Sequence, residues 1–155
     1  MRIWLVDIAE LSDQHLLGQH RELHMLFSML NLPRFTNHRM VSFYRDKKGW
    51  LCNFHKQLAE EISYRFGTPL KDHKTPLKKT YTSGKAWEPP EEWVEFDQVD
   101  LARRYQSETR FAYRWTRRPR PDWADNKRAL WANLGEIPAH TAGAKIVGAK
   151  SEQRA

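Results

Sequence analysis

Cys52 is the only cysteine in the 155 residues, so no internal disulfide framework and no multi-cysteine zinc or iron–sulfur centre can form within the chain. No apolar run approaches the ~18–20 residues of a membrane span. The opening stretch MRIWLVDIAELSD has too short an apolar run, and acids too early, for a secretory signal. The signature strings of several familiar chemistries are missing as well: no glycine-rich phosphate loop, no GxSxG elbow, no HExxH and no CxxC. These absences point to a soluble, cytoplasmic protein of a reducing compartment, off the membrane, with no cofactor and no metal expected. What is present is enough for a packed core. Forty per cent of the residues are hydrophobic and 12% aromatic, and the length suits one domain of the usual ~100–150 residues.

The charge is uneven. Twenty-six Lys and Arg against nineteen Asp and Glu give a formal +7, a balance suited to a polyanionic partner. Between Leu101 and Arg128 nine basic residues (Arg103, Arg104, Arg110, Arg114, Arg117, Arg118, Arg120, Lys127, Arg128) face three acids (Glu108, Asp122, Asp125), so this stretch carries +6 of the +7. Tyr105, Phe111, Tyr113, Trp115 and Trp123 are interleaved with them. Cations for phosphates beside flat rings for bases are the ingredients of nucleic-acid contact. A helix with a solvated basic face and an aromatic core stripe would have the same composition.

Periodicity predicts an all-α chain. A first helix starts at Ser12, a good N-cap, and runs to about Asn31 ahead of Pro33. Leu16, His20, Leu23, Phe27 and Leu30 share one face of it, while Gln14, His15, Gly18, Arg21 and Glu22 lie on the other. A second helix is expected from about Lys48 to Phe66, closed by Gly67 and Pro69. Residues 67–96, with four of the eight prolines, read as a long surface loop. A third helix is expected from about Asp97 to Trp115, and a short one from about Trp123 to Leu134. The tail 139–155 is small, polar and basic and is expected to fray. The expected architecture is one compact domain over residues 1–138 with three main helices and long loops.

His20 and His24 stand at the i, i+4 spacing of a metal-ligand pair, but ordinary packing on a helix face accounts for them. Cys52 with His55 reads as a packed thiol rather than a nucleophile. Arg21 and Glu22, on the polar side of the first helix beside Gln14 and His15, gain meaning only from their surroundings. The string E-L-x-D-Q-H-L from Glu10 to Leu16 and the string R-E-L from Arg21 to Leu23 make the N-terminal block resemble the pyrimidine-dimer DNA glycosylases of the phage endonuclease V type, which are also apurinic-site lyases. A second block, His38 to Lys71, is similar more loosely, through Phe43-Tyr44, Asp46-Lys47 and Tyr64-Arg65-Phe66-Gly67.

The resemblance implies a compact three-helix fold with the N-terminus packed between helices. It implies that the Met1 α-amine is the nucleophile, that Glu22 assists it with Arg21 alongside, and that Arg2, Gln14 and His15 lie near DNA. The substrate implied is double-stranded DNA carrying a pyrimidine dimer, bound by a monomer associated with the nucleoid through DNA. Arg110, Arg114, Arg117 and Arg118 are the expected phosphate contacts, with Trp115 or Trp123 either wedging the duplex or plugging the helix packing. Physical chemistry suits an amine to this role. At pH 7 a free α-amine of pKa ~7.7 is roughly 15–20% neutral, against ~0.04% for an ordinary lysine, and Arg2 and Arg21 are expected to lower its pKa further.

Three positions depart from the phage type. Met1 stands where that type exposes threonine, Met25 replaces a basic residue one turn after the glutamate, and the tyrosine-rich C-terminal segment is absent, with Arg120-Pro121-Asp122-Trp123 the nearest analogue. The alternatives are the same amine chemistry on another damaged or modified base or an abasic site, a non-catalytic DNA-binding relative, and a helical domain that binds an acidic protein.

Overall fold

Three long helices follow from three apolar stripes. The computed structural model describes residues 2–69, 81–108, 112–126 and 140, and among them only helices and connecting segments form, with no strand. Helix α1 spans Asp13–Leu30. It begins where the sequence predicts, with the Ser12 hydroxyl accepting the His15 amide hydrogen at 3.1 Å and the Asp13 carboxylate in the positive first turn. Leu16, Leu23 and Phe27 of its predicted stripe are fully buried.

Helix α2, Arg39–Tyr44, is a short element without a helical periodicity of its own. Its Met40, Val41 and Tyr44 are buried, so tertiary packing fixes it. Helix α3, Lys48–Phe66, matches its expected bounds and buries Leu51, Phe54 and Leu58 against α1. Gly67 ends it at φ +71°, a left-handed conformation that glycine adopts without strain.

The third long helix departs from expectation. Helix α4 spans Glu91–Ser107, not Asp97–Trp115. Pro90 stands at its N-cap, and Glu91 and Glu92 fill its first turn, where the helix dipole favours acids. Residues 112–115 of its expected span instead run along α1 outside any helix. The Asp13 amide donates to the Arg114 carbonyl at 2.7 Å, the Gln14 side chain donates to the Ala112 carbonyl at 2.8 Å, and the Arg114 amide donates back to Gln14 at 3.2 Å. These bonds satisfy backbone groups that a continued helix would have used internally. Residues 91–96 are therefore helix rather than loop. Residues 81–90 are not free loop either: Gly49 donates to the Ser83 carbonyl at 2.8 Å, and Tyr81 and Trp87 pack on the core. Helix α5 is Trp123–Asn126, packed on α4, and the rest of its predicted span lies outside the described residues.

The N-terminal residues thread through this frame. Ile3, Trp4, Leu5 and Val6 are all buried, which at about 1.5–3 kcal/mol per large apolar side chain makes the segment an integral part of the core. Of the predicted tail, His140 is described. It is fully buried, bonded to Asp97 and stacked on Trp93, so packing continues past residue 138. The remainder of 139–155 lies outside the described residues.

Candidate active site

An extended segment buried between helices must find partners for its backbone without a sheet. Here side chains supply them. The Arg2 amide donates to Glu22 Oε2 at 3.0 Å, and the Arg2 carbonyl accepts from Gln19 Nε2 at 2.9 Å. The Trp4 amide donates to Gln19 Oε1 at 2.5 Å, and the Leu5 amide donates to Asp97 Oδ2 at 2.8 Å. Gln19 and Glu22 stand one helical turn apart on α1, and Asp97 faces them from α4. Together they clamp residues 2–5.

The clamp redefines Arg2. Its guanidinium is buried and donates to Asp97 Oδ1 and Asp100 Oδ2, both at 2.5 Å, while its carbon lies 3.9 Å from the centre of the Trp4 ring. Asp97 also meets His140 at 2.8 Å, and Asp100 accepts from Arg103 at 2.9 Å. The expectation that Arg2 touches DNA is therefore corrected. A buried cation held by two carboxylates has no charge to offer a phosphate, and those carboxylates also offset any effect it would have on a nearby amine.

His15 is likewise drawn inward. Its ring stacks on Tyr113 and meets Trp4 and Tyr105 edge-on. Burial first, then the Arg104 charge, push its pKa down to about 4, so it is a neutral packing residue rather than a DNA contact. Ser12 Oγ, which already accepts from the His15 amide, sits 3.0 Å from Nδ1 and can donate its own hydrogen there.

Among the described residues, the basic segment is mostly spent on the fold. Arg118 binds both Glu61 oxygens at 2.8 and 2.9 Å. Burial alone would raise the Glu61 carboxyl, but hydrogen bonds from Arg118 and Arg65 outweigh it and hold the pKa below the usual value. Arg65, itself buried, also reaches Asp13 at 3.0 Å and the carbonyl of Ala9. Arg120 pairs with Asp125, Arg103 with Asp100, and Arg104 with Glu108 and Asp100.

Of the two readings of the tryptophans, packing is the one realised. The Trp115 and Trp123 indoles both lie against Tyr105 and donate to the Glu10 carbonyl and carboxylate, each at 2.9 Å. Arg114 and Arg117 are exposed, as the phosphate role needs, although Arg117 also donates to the Tyr64 carbonyl of α3 at 3.2 Å. Gln14 is exposed and serves as a strut to residues 112–114. Met1 and Arg110 lie outside the described residues.

Several site-building residues escaped sequence reasoning. Gln19 sits on the apolar side of α1 and is 1% exposed, a polar residue in a buried register that could have been read as a tether. Asp97 and Asp100 interrupt the buried run of Phe96, Val99 and Leu101 at i, i+3 spacing, which could have marked a buried cation opposite. On the outer face of α1 stand Leu17, 41% exposed, and Met25, 56% exposed, on either side of the exposed Arg21. Apolar side chains presented to solvent around a cation are suited to a bent or unstacked duplex. Burial raises the Cys52 thiol pKa, which keeps it protonated and a poor nucleophile.

No curated protein and no solved structure matches the chain. Residues 1–73, which carry Arg21, Glu22, Gln19 and the whole clamped segment, match the family model of the pyrimidine dimer DNA glycosylases, the family whose N-terminal block this chain resembles.

Proposed function

We propose that this protein excises pyrimidine dimers from double-stranded DNA as a glycosylase with apurinic-site lyase activity, using the α-amine of Met1 as nucleophile and Glu22 as the assisting carboxylate. The observation that carries the reading is the 3.0 Å bond from the Arg2 amide to Glu22 Oε2. Covalent geometry keeps the nitrogen of any preceding residue within about 4 Å of that amide, which supports pairing the α-amine with this carboxylate.

In the reaction the neutral amine attacks C1′ of the 5′ nucleotide of the dimer. The N-glycosidic bond breaks, its electron pair leaves with the pyrimidine, and a proton neutralises that base, which stays attached to its dimer partner. The sugar ring opens to an imine. The imine acidifies the C2′ proton; its removal expels the 3′ phosphate by β-elimination, and water then hydrolyses the imine to return the amine. Glu22 is suited to ferry protons in these steps and to stabilise the cationic intermediates. Arg21, Arg114, Arg117 and the outer face of α1 supply the DNA-facing groups.

Borohydride reduces an imine to a stable adduct, so it should trap the chain on dimer-containing duplex, with the adduct mapping to the Met1 peptide. Extending the chain ahead of Met1 turns the amine into an amide and should abolish trapping while DNA binding persists. An adduct on a lysine would overturn the assignment of the nucleophile. Parallel trapping on abasic and oxidised-base duplexes separates dimer excision from the same chemistry on another lesion.

A further inference from the structure

Three histidines from two helices point at one another. His20 and His24, one turn apart on α1, have ring centroids 4.5 Å apart. His55, from the middle of α3, stacks on His20 at 5.2 Å and meets His24 edge-on at 4.9 Å. Their nitrogens converge: His24 Nε2 lies 3.2 Å from His20 Nε2 and 3.0 Å from His55 Nε2, and one ring nitrogen of each lies within 4.8 Å of those of the other two.

We propose that this triad is a binding site for a divalent transition-metal ion, best suited to Zn2+. A neutral imidazole nitrogen carries either one hydrogen or one lone pair in the ring plane. His24 Nε2 therefore cannot make a well-directed hydrogen bond to both of its close nitrogen neighbours, whereas a cation between three lone pairs engages all three nitrogens at once. Zinc–imidazole bonds of 2.0–2.1 Å in tetrahedral geometry place ligand nitrogens about 3.3 Å apart. Two of the spacings here already stand near that value, and the third is within 4.8 Å.

An all-imidazole set favours zinc and its neighbours in the transition series and disfavours Mg2+ and Ca2+, which require oxygen ligands. His55 is 2% exposed while His20 and His24 are half-buried, and among the described residues these three supply the ligand nitrogens. A bound ion cross-links α1 to α3 on the same stretch of α1 that carries Gln19 and Glu22.

The test uses the full chain, stripped with chelator and titrated with Zn2+ by calorimetry. We expect one equivalent bound per chain, an unfolding temperature that rises with free Zn2+, and, with Co2+ as probe, the visible absorption of a low-coordinate nitrogen site. His24→Gln and His55→Gln, with folding checked by circular dichroism, should each weaken binding by at least about 100-fold, while Cys52→Ser leaves it unchanged. His20→Gln, at a half-buried position, provides a milder variant should either of the others fail to fold. A wild-type chain that takes up no Zn2+, or histidine variants that bind it as the wild type does, overturns the proposal.

Discussion

Residues 2–6 and residues 112–126 both lie against α1, and they treat charge in opposite ways. The N-terminal segment brings one cation, Arg2, and buries it between two aspartates. The later segment brings four arginines, pairs Arg118 and Arg120 with acids and leaves Arg114 and Arg117 exposed. In composition the second region is the more suggestive of nucleic acid, yet in space it is largely a strap whose rings, with Arg117 and Arg118 bonded to α3, hold the helices together. The first region, modest in composition, is where hydrogen-bonding groups gather around a carboxylate. A net charge per segment does not say which charges are available. Burial and pairing decide that.

The comparison can be broken most sharply at Glu22. Glu22→Gln keeps the shape of the clamp and removes the carboxylate, so single-turnover cleavage of dimer-containing duplex should fall by about 10²–10⁴-fold with duplex affinity nearly unchanged; retained cleavage would refute its role. Asp97→Ala attacks the same region through stability. It strips a buried partner from Arg2, His140 and the Leu5 amide, and urea unfolding should show a loss of about 3–5 kcal/mol.

The strap's effect on pH dependence comes next. His15 is kept neutral in the fold, with its pKa lowered to about 4, but in the unfolded chain it takes a proton near pH 6.5. The unfolded state thus binds more protons between those values, and stability should fall by on the order of 3 kcal/mol as pH drops from about 6.5 to about 4. His15→Asn should flatten that part of the stability–pH curve.

The smallest effects separate two arginines of the strap. Arg114→Ala should weaken duplex binding and reduce its salt slope by about one, with stability intact. Arg118→Ala should instead lower stability in urea unfolding by releasing Glu61, with a smaller change in the salt slope.

Much of this was legible in the sequence. Ser12 and Gly67 bounded α1 and α3 because caps act through a residue and its nearest neighbours. The E-L-x-D-Q-H-L and R-E-L strings brought Glu22 into view because they are local as well. The end of α4 was not legible: its stop signal is a set of hydrogen bonds with Asp13 and Gln14, about a hundred residues earlier. The fate of Arg2 depended on Asp97 and Asp100, and the histidine cluster on His55 of α3. In each case one chemical group lies on one helix and its partner on another, so spacing along the chain carries no trace of the pairing.

The long reach of the clamp also sets an order of assembly. Arg2 and Leu5 are joined to Asp97 across 95 and 92 residues, so during synthesis the leading segment emerges long before the helix that seats it. Contacts of such separation close slowly, and α1 with α3 can pair first. The segment that carries the proposed nucleophile is thus fixed only once α4 exists, and a chain truncated before residue 97 should have an unseated leading end and little capacity to cut DNA.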